Sequence, residues 1–163
     1  MNIENITYPD VNNGLGCRVT LWVSGCIHHC NGCHNHQTWD FKHGIRFDGE
    51  QKQKLFDVLN LSYIKGITLS GGDPLCSYDE CFELVKEIKE QFPTKDIWLY
   101  TGYTLDEIYK VNKSDILQYI DVLVDGKFDI TQLDRGLVFR GSRNQIIWEK
   151  DENGGFVKSK LND

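Results

Sequence analysis

The chain has 163 residues, 18 Lys and Arg against 24 Asp and Glu, and a formal net charge of −6, with 40% hydrophobic and 26% charged side chains. These proportions are those of one folded globular domain and exclude disordered and collagen-like classes. The acidic balance argues against a duplex nucleic-acid binder, whose phosphate contacts need a basic surface, and no run reaches the 18 or so apolar residues that span a bilayer.

Met1 to Asp10 reads as a polar stretch broken by Glu4 and Asp10, without the basic segment and apolar core of a secretory signal. A cytoplasmic location is therefore expected. No repeat, low-complexity tract or long linker follows, so a single domain over 1–163 is expected. Its core runs from about residue 8 to residue 148, with loose ends in the first dozen residues and in a polar tail, 149–163.

The first strand is Arg18 to Ser24 (RVTLWVS), and a cysteine-rich loop follows it. Glu50 to Leu61 has helical period, with Leu55, Val58 and Leu59 on one face. Gly66 to Ser70 (GITLS) is the second strand. Tyr78 to Phe92 is a helix with Cys81, Leu84, Val85 and Ile88 at i, i+3, i+4 and i+7, and Ser77 with Glu80 has the spacing of a capping box. Asp96 to Thr101 (DIWLYT) is the third strand; Thr104 and Glu107 repeat the capping-box spacing ahead of Ile108; Asp121 to Asp125 (DVLVD) is the fourth strand. Strands alternate with helices at intervals near the roughly thirty residues of a βαβ unit, which predicts an α/β fold with a parallel sheet.

Each strand ends in a small or acidic polar residue followed by glycine: Ser24-Gly25, Ser70-Gly71, Thr101-Gly102 and Asp125-Gly126. Parallel α/β folds bind ligands at the carboxyl ends of their strands, so the four ends mark a shared rim. Thr101 and Asp125 either line that rim or cap the turns that follow.

Six cysteines in a reducing compartment point to metal or redox chemistry before disulfides. Cys26, Cys30 and Cys33 are spaced C-x3-C-x2-C in the loop after the first strand, close enough to surround one centre. Two chemistries fit. Zinc takes four ligands, and His28, His29, His34 or His36 completes a Cys3His set. A 4Fe-4S cluster held by three thiolates keeps one iron open, as a catalytic metal does. Cys81 belongs to the apolar face of its helix, and Cys17 and Cys76 are likewise read as structural. Trp22, Trp39, Trp98 and Trp148 are read as core or interface.

Cys26-x3-Cys30-x2-Cys33 and Ser70-Gly71-Gly72-Asp73-Pro74, in this order on successive strand ends, resemble the radical S-adenosylmethionine (SAM) superfamily. Gly14 to Arg18, Cys26 to Asn35, Lys95 to Trp98, Thr101-Gly102-Tyr103, Val124 to Phe128, Arg140-Gly141-Ser142 and Asn144-Gln145 are similar to one branch of it. That branch activates the anaerobic ribonucleoside-triphosphate reductase, and the similarity runs from about Tyr8 to about Trp148.

The resemblance implies an incomplete parallel (β/α) barrel, since a closed eight-stranded barrel typically needs about 250 residues. It implies a 4Fe-4S cluster on Cys26, Cys30 and Cys33, with SAM on the fourth iron. Gly71, Gly72 and Asp73 run along the methionyl end of SAM, and Gly32, Cys33 and His34 lie near it. Many radical SAM enzymes of this type carry an aromatic residue just before the third cysteine. Gly32 stands there in this chain, and His34 follows the cysteine.

No catalytic side chain beyond cluster and SAM is implied. Reductive cleavage of SAM gives methionine and a 5′-deoxyadenosyl radical, which takes a hydrogen atom from a backbone glycine of the reductase large subunit. Reduced flavodoxin or ferredoxin is the implied electron donor; nucleic acid and membrane are not partners. Arg140, Ser142 and Arg143 meet the partner or the SAM carboxylate, or form a solvated loop. The rival readings are activation of another glycyl radical enzyme and a non-catalytic zinc-binding interaction module.

Overall fold

The computed structural model describes residues 1–163. In chain order it contains β1 (Asn2–Asp10), β2 (Arg18–Val23), β3 (Ile45–Arg46), α1 (Gly49–Leu59), β4 (Gly66–Gly71), α2 (Tyr78–Gln91), β5 (Asp96–Tyr100), α3 (Leu105–Lys110), β6 (Val122–Asp125), β7 (Ile146–Lys150) and β8 (Phe156–Lys158). The strands form one sheet in the order β3-β1-β2-β4-β5-β6-β7-β8, with β3 and β8 as its two edges. The four strands expected from the sequence are β2, β4, β5 and β6; each pairs in parallel with the next at the middle of the sheet.

These strands are legible because both their faces are covered, which selects near-continuous apolar runs. On one face Val19, Leu21, Ile67, Leu69, Ile97, Leu99 and Leu123 join the apolar sides of the helices, Leu55 and Leu59 of α1 and Cys81, Leu84, Val85 and Ile88 of α2, in a single buried core. On the other face Trp98, Val122, Val124 and Ile147 make a smaller cluster. Beside it Arg18 is fully buried. Its guanidinium pairs with Asp96 at 2.6 Å, donates to Thr68 Oγ1 (2.9 Å) and the Ile67 carbonyl (2.7 Å), and lies over the Trp98 ring. A buried charge needs this full set of partners to be tolerated.

Two expectations are corrected. The ends are not loose: β1 pairs antiparallel with β2, β7 with β6, and β8 with β7. The ordered core is wider than 8–148, since Ile3 and Ser159 are buried. Most of β1 and β8 is partly or fully exposed, so backbone pairing holds residues that carry little apolar pattern. The Ser77–Glu80 capping box is also absent. Ser77 makes no capping bond, because α2 continues from a 3-10 turn, Pro74–Ser77, that Asp73 already caps through the Leu75 N–H. The Glu80 carboxylate instead meets the Met1 amino group. At α3 the box is formed: Glu107 N–H donates to Thr104 Oγ1 and Thr104 N–H to Glu107 Oε2. No helix is long and apolar enough to cross a membrane.

Candidate metal centre and adjoining cavity

Strand register sets the site. Val23 lies opposite Gly71, Leu69 opposite Leu99, and Tyr100 opposite Val124, so the carboxyl ends of β2, β4, β5 and β6 stand level on one rim. The cysteine loop leaves β2 here and is closed by its own backbone. Gly25 N–H donates to the Thr38 carbonyl (2.7 Å), Cys26 N–H to the Trp39 carbonyl (3.2 Å), and Thr38 Oγ1 to the Asn35 carbonyl (2.7 Å).

Within the loop, Cys26 is buried and Cys30 and Cys33 are half-buried, all as free thiols. Burial pushes the Cys26 and Cys30 thiols up; the His28 and His29 N–H groups directed at Cys26, and that of Phe128 directed at Cys30, oppose it. The same N–H groups would stabilise thiolates if a metal displaced the protons.

Sulfurs on a single zinc, at about 2.3 Å each, would stand about 3.8 Å apart. Cys26, Cys30 and Cys33 do not gather that closely; the one group of potential ligand atoms within 4.8 Å of each other is His28, Asp73 and Cys76. That group is a hydrogen-bonded knot. Asp73 is buried, and its Oδ1 accepts from Leu75 N–H (2.9 Å). Its Oδ2 accepts from His28 Nε2 (2.6 Å), Thr101 Oγ1 (2.9 Å) and Gly102 N–H (3.0 Å). Cys76 is pushed up to about 11 by burial first and then by the charge of Asp73, which keeps it a neutral thiol.

The glycine pair is pressed onto the cysteine loop. Gly72 N–H donates to the Val23 carbonyl (2.7 Å) and Asp73 N–H to the Gly25 carbonyl (2.9 Å). A Cβ on Gly72 would stand 2.5 Å from the Gly25 oxygen and 2.8 Å from the Thr38 oxygen. The bare Cα is thus required by the protein's own backbone, and the Asp73 side chain is committed to protein donors.

Beside Cys33 opens a cavity of about 360 Å³. Its wall combines aromatic faces (Trp22, Tyr100, Phe139), neutral polar groups (Asn12, Asn13, Ser70) and the Arg140 guanidinium, with His34 at its edge. Such a mixture and volume suit a small polar ligand with an aromatic portion. Gly32 sits at φ +75 with its Cα against Ile130. A larger cavity, about 540 Å³ between β1, β3 and α1, is lined by Ile3, Ile6, Tyr8 and Val58 and contains no cysteine or histidine. Of the two, only the smaller one is bordered by a cysteine and a histidine of the loop after β2.

Several rim residues serve the scaffold. Asp125, raised by burial, accepts from the Leu105 N–H at the start of α3 (2.7 Å). Ser142 is buried and accepts from Asp129 N–H; Arg143 pairs with Asp134; Gln145 Oε1 accepts from Gly141 and Ser142 N–H groups. Arg140 donates to the Gln145 and Asn162 carbonyls at the cavity wall. Trp22, read as core or interface, lines the cavity instead; its place in strict alternation with Ser24 and Thr20 on β2 was the available signal. His28 as the Asp73 partner left no local signal.

The family model of the 4Fe-4S single cluster domain matches residues 12–148. Over 145 residues the chain is 50% identical to the anaerobic ribonucleoside-triphosphate reductase-activating protein of Haemophilus influenzae, covering 86% of this chain and 93% of that protein. The proteins of the same name from Enterobacteria phage T4 (42% identity, 93% of this chain and 96% of that one) and Escherichia coli K12 (44%, 90% and 97%) are similar along nearly their whole lengths. The chain is therefore a member of the family of anaerobic ribonucleoside-triphosphate reductase-activating proteins, built on a 4Fe-4S single cluster domain.

Proposed function

We propose that this protein activates an anaerobic ribonucleoside-triphosphate reductase by radical SAM chemistry. The observation that carries the proposal is the interlock of the Cys26–Cys33 loop with Gly72-Asp73, directly beside the cavity that Cys33 and His34 line. Cys26, Cys30 and Cys33 would hold a 4Fe-4S cluster. In support, the three thiols share one loop, N–H groups are directed at two of their sulfurs, and the sulfurs are spread wider than ligands of a single ion. When bound, cluster and SAM supply a radical that takes a hydrogen atom from the target glycine.

The chain's own residues position and exclude. The Gly71 to Asp73 backbone would border the methionyl end of SAM, His34 lines the cavity that would receive the rest, and Gly32 precedes Cys33 in the same loop. Trp22, Tyr100 and Phe139 wall that cavity with apolar surface, which keeps water from a reactive carbon radical. The parallel run β2-β4-β5-β6 at the middle of the sheet supports reading the fold as an incomplete (β/α) barrel of this class, whose rim at the strand ends would receive a loop of the reductase large subunit. Reduced flavodoxin or ferredoxin supplies the electron.

Anaerobic reconstitution with iron and sulfide tests the reading. The protein is expected to take up four irons per chain and, on reduction, to cleave SAM to methionine and 5′-deoxyadenosine. Retention of zinc with no SAM cleavage would instead identify a zinc-binding interaction module.

A further inference from the structure

The Thr101-Gly102-Tyr103 tripeptide and His28 converge on one point. His28 lies between the first two cysteines, in a loop whose neighbours on either side, Ile27 and His29, are exposed. Its own side chain is only 5% exposed. An apolar residue turned out and an imidazole turned in reverse the usual preference, and a buried polar ring needs a specific partner.

That partner is Asp73, the residue after the glycine pair, whose Oδ2 lies 2.6 Å from His28 Nε2. The tripeptide builds the seat. Thr101 and Gly102 donate to the same carboxylate oxygen, and Tyr103 meets the imidazole edge-on at 4.7 Å between centroids. Gly102 abuts the ring, where a Cβ would stand 2.4 Å from the imidazole Cδ2.

We infer that His28 is a positioning residue that locks the cysteine loop to the glycine pair and so fixes the metal centre relative to bound SAM. The inference rests on the radical SAM reading. A continuous path joins the two: Cys26, two residues along to His28, across one hydrogen bond to Asp73, and one residue back to Gly72. A hydrogen bond to a buried carboxylate is strong and short, so it transmits position where a flexible loop would not. None of the three cysteines takes part in the lock, so cluster ligation and cluster placement are separable.

The test uses the reconstituted full chain with His28→Ala, His28→Gln and Gly102→Ala. Iron content, the EPR signal of the reduced cluster with and without SAM, and the SAM dissociation constant are measured. His28→Ala and Gly102→Ala are expected to keep the parental iron content and the parental signal without SAM. They are expected to bind SAM roughly tenfold more weakly, as loss of one charge-assisted hydrogen bond implies, and to lose the SAM-induced change in the signal. His28→Gln, whose amide can donate from near the position of Nε2, is expected to regain most of both.

Unchanged SAM affinity in the two alanine variants overturns the inference, as does a glutamine variant no better than alanine. If His28→Ala fails to hold iron, Gly102→Ala decides, because its parental affinity would also overturn it. A parent chain that binds no SAM contradicts the radical SAM reading itself, which is a distinguishable outcome.

Discussion

Gly72→Ala is expected to lose most of its capacity to assemble a cluster and to unfold at lower temperature than the parent, although Gly72 offers no ligand atom. The added Cβ would stand 2.5 Å from the Gly25 carbonyl oxygen and 2.8 Å from that of Thr38. Both oxygens are held by the backbone: Gly25 O accepts from Asp73 N–H, and Thr38 O from Gly25 N–H. Neither can swing aside as a side-chain end would. Relief requires the cysteine loop to move at Gly25, one residue before Cys26. Overpacking of this kind typically costs about 1–3 kcal/mol, and here the displacement falls on the cysteine loop proposed to hold the cluster. Iron content after reconstitution and the thermal midpoint of the apo-protein read the two effects. The resemblance alone would have the glycine pair left bare for SAM, and would leave cluster and fold intact in such a variant. Full iron content with parental stability and only SAM affinity lost would support that view against the packing account.

Cys30→Ala is expected to abolish cluster assembly and SAM cleavage, whereas Cys81→Ala is expected to keep both and lose about 1 kcal/mol of stability. The two cysteines differ in surroundings more than in chemistry. Cys30 is half-buried in the loop that also carries Cys26 and Cys33, with the Phe128 N–H directed at its sulfur. Cys81 is fully buried in α2, its thiol raised by burial, and contacts the Met1 sulfur at 3.6 Å. Cys76→Ala belongs with Cys81: its thiol is neutral, the Ile27 N–H is directed at it, and it lies beside Cys26 without sharing the C-x3-C-x2-C spacing. Equal loss of iron on replacing Cys30 and Cys81 would refute the ligand assignment. Iron and sulfide content, SAM cleavage and denaturant unfolding separate the cases.

The central parallel strands were legible because burial on both faces leaves a local record, as in the consecutive Val122, Leu123 and Val124 of β6. The helix faces were legible for the same reason. β1, β7 and β8 were not, because neighbouring strands order them through backbone pairing while most of their side chains remain partly exposed. Capping chemistry was legible where it is local, at Thr104 and Glu107, and misled at Ser77, where Asp73 already caps the preceding turn. The cysteine spacing and the Gly-Gly-Asp-Pro segment are legible as local motifs. Their interlock was not, since the bond from His28 to Asp73 spans 45 residues and the contact of Gly72 with Gly25 spans a strand crossover. Trp22 reads as core or interface in the sequence, because composition does not say which face of a strand meets a cavity.

The most direct test of the account mixes anaerobically reconstituted protein, SAM and a low-potential reductant with an anaerobic ribonucleoside-triphosphate reductase, and examines the mixture by EPR. A glycyl radical on the reductase, formed in step with methionine and 5′-deoxyadenosine and missing with Cys30→Ala, is the predicted result. Full cluster and SAM cleavage with no radical on the reductase would contradict the account.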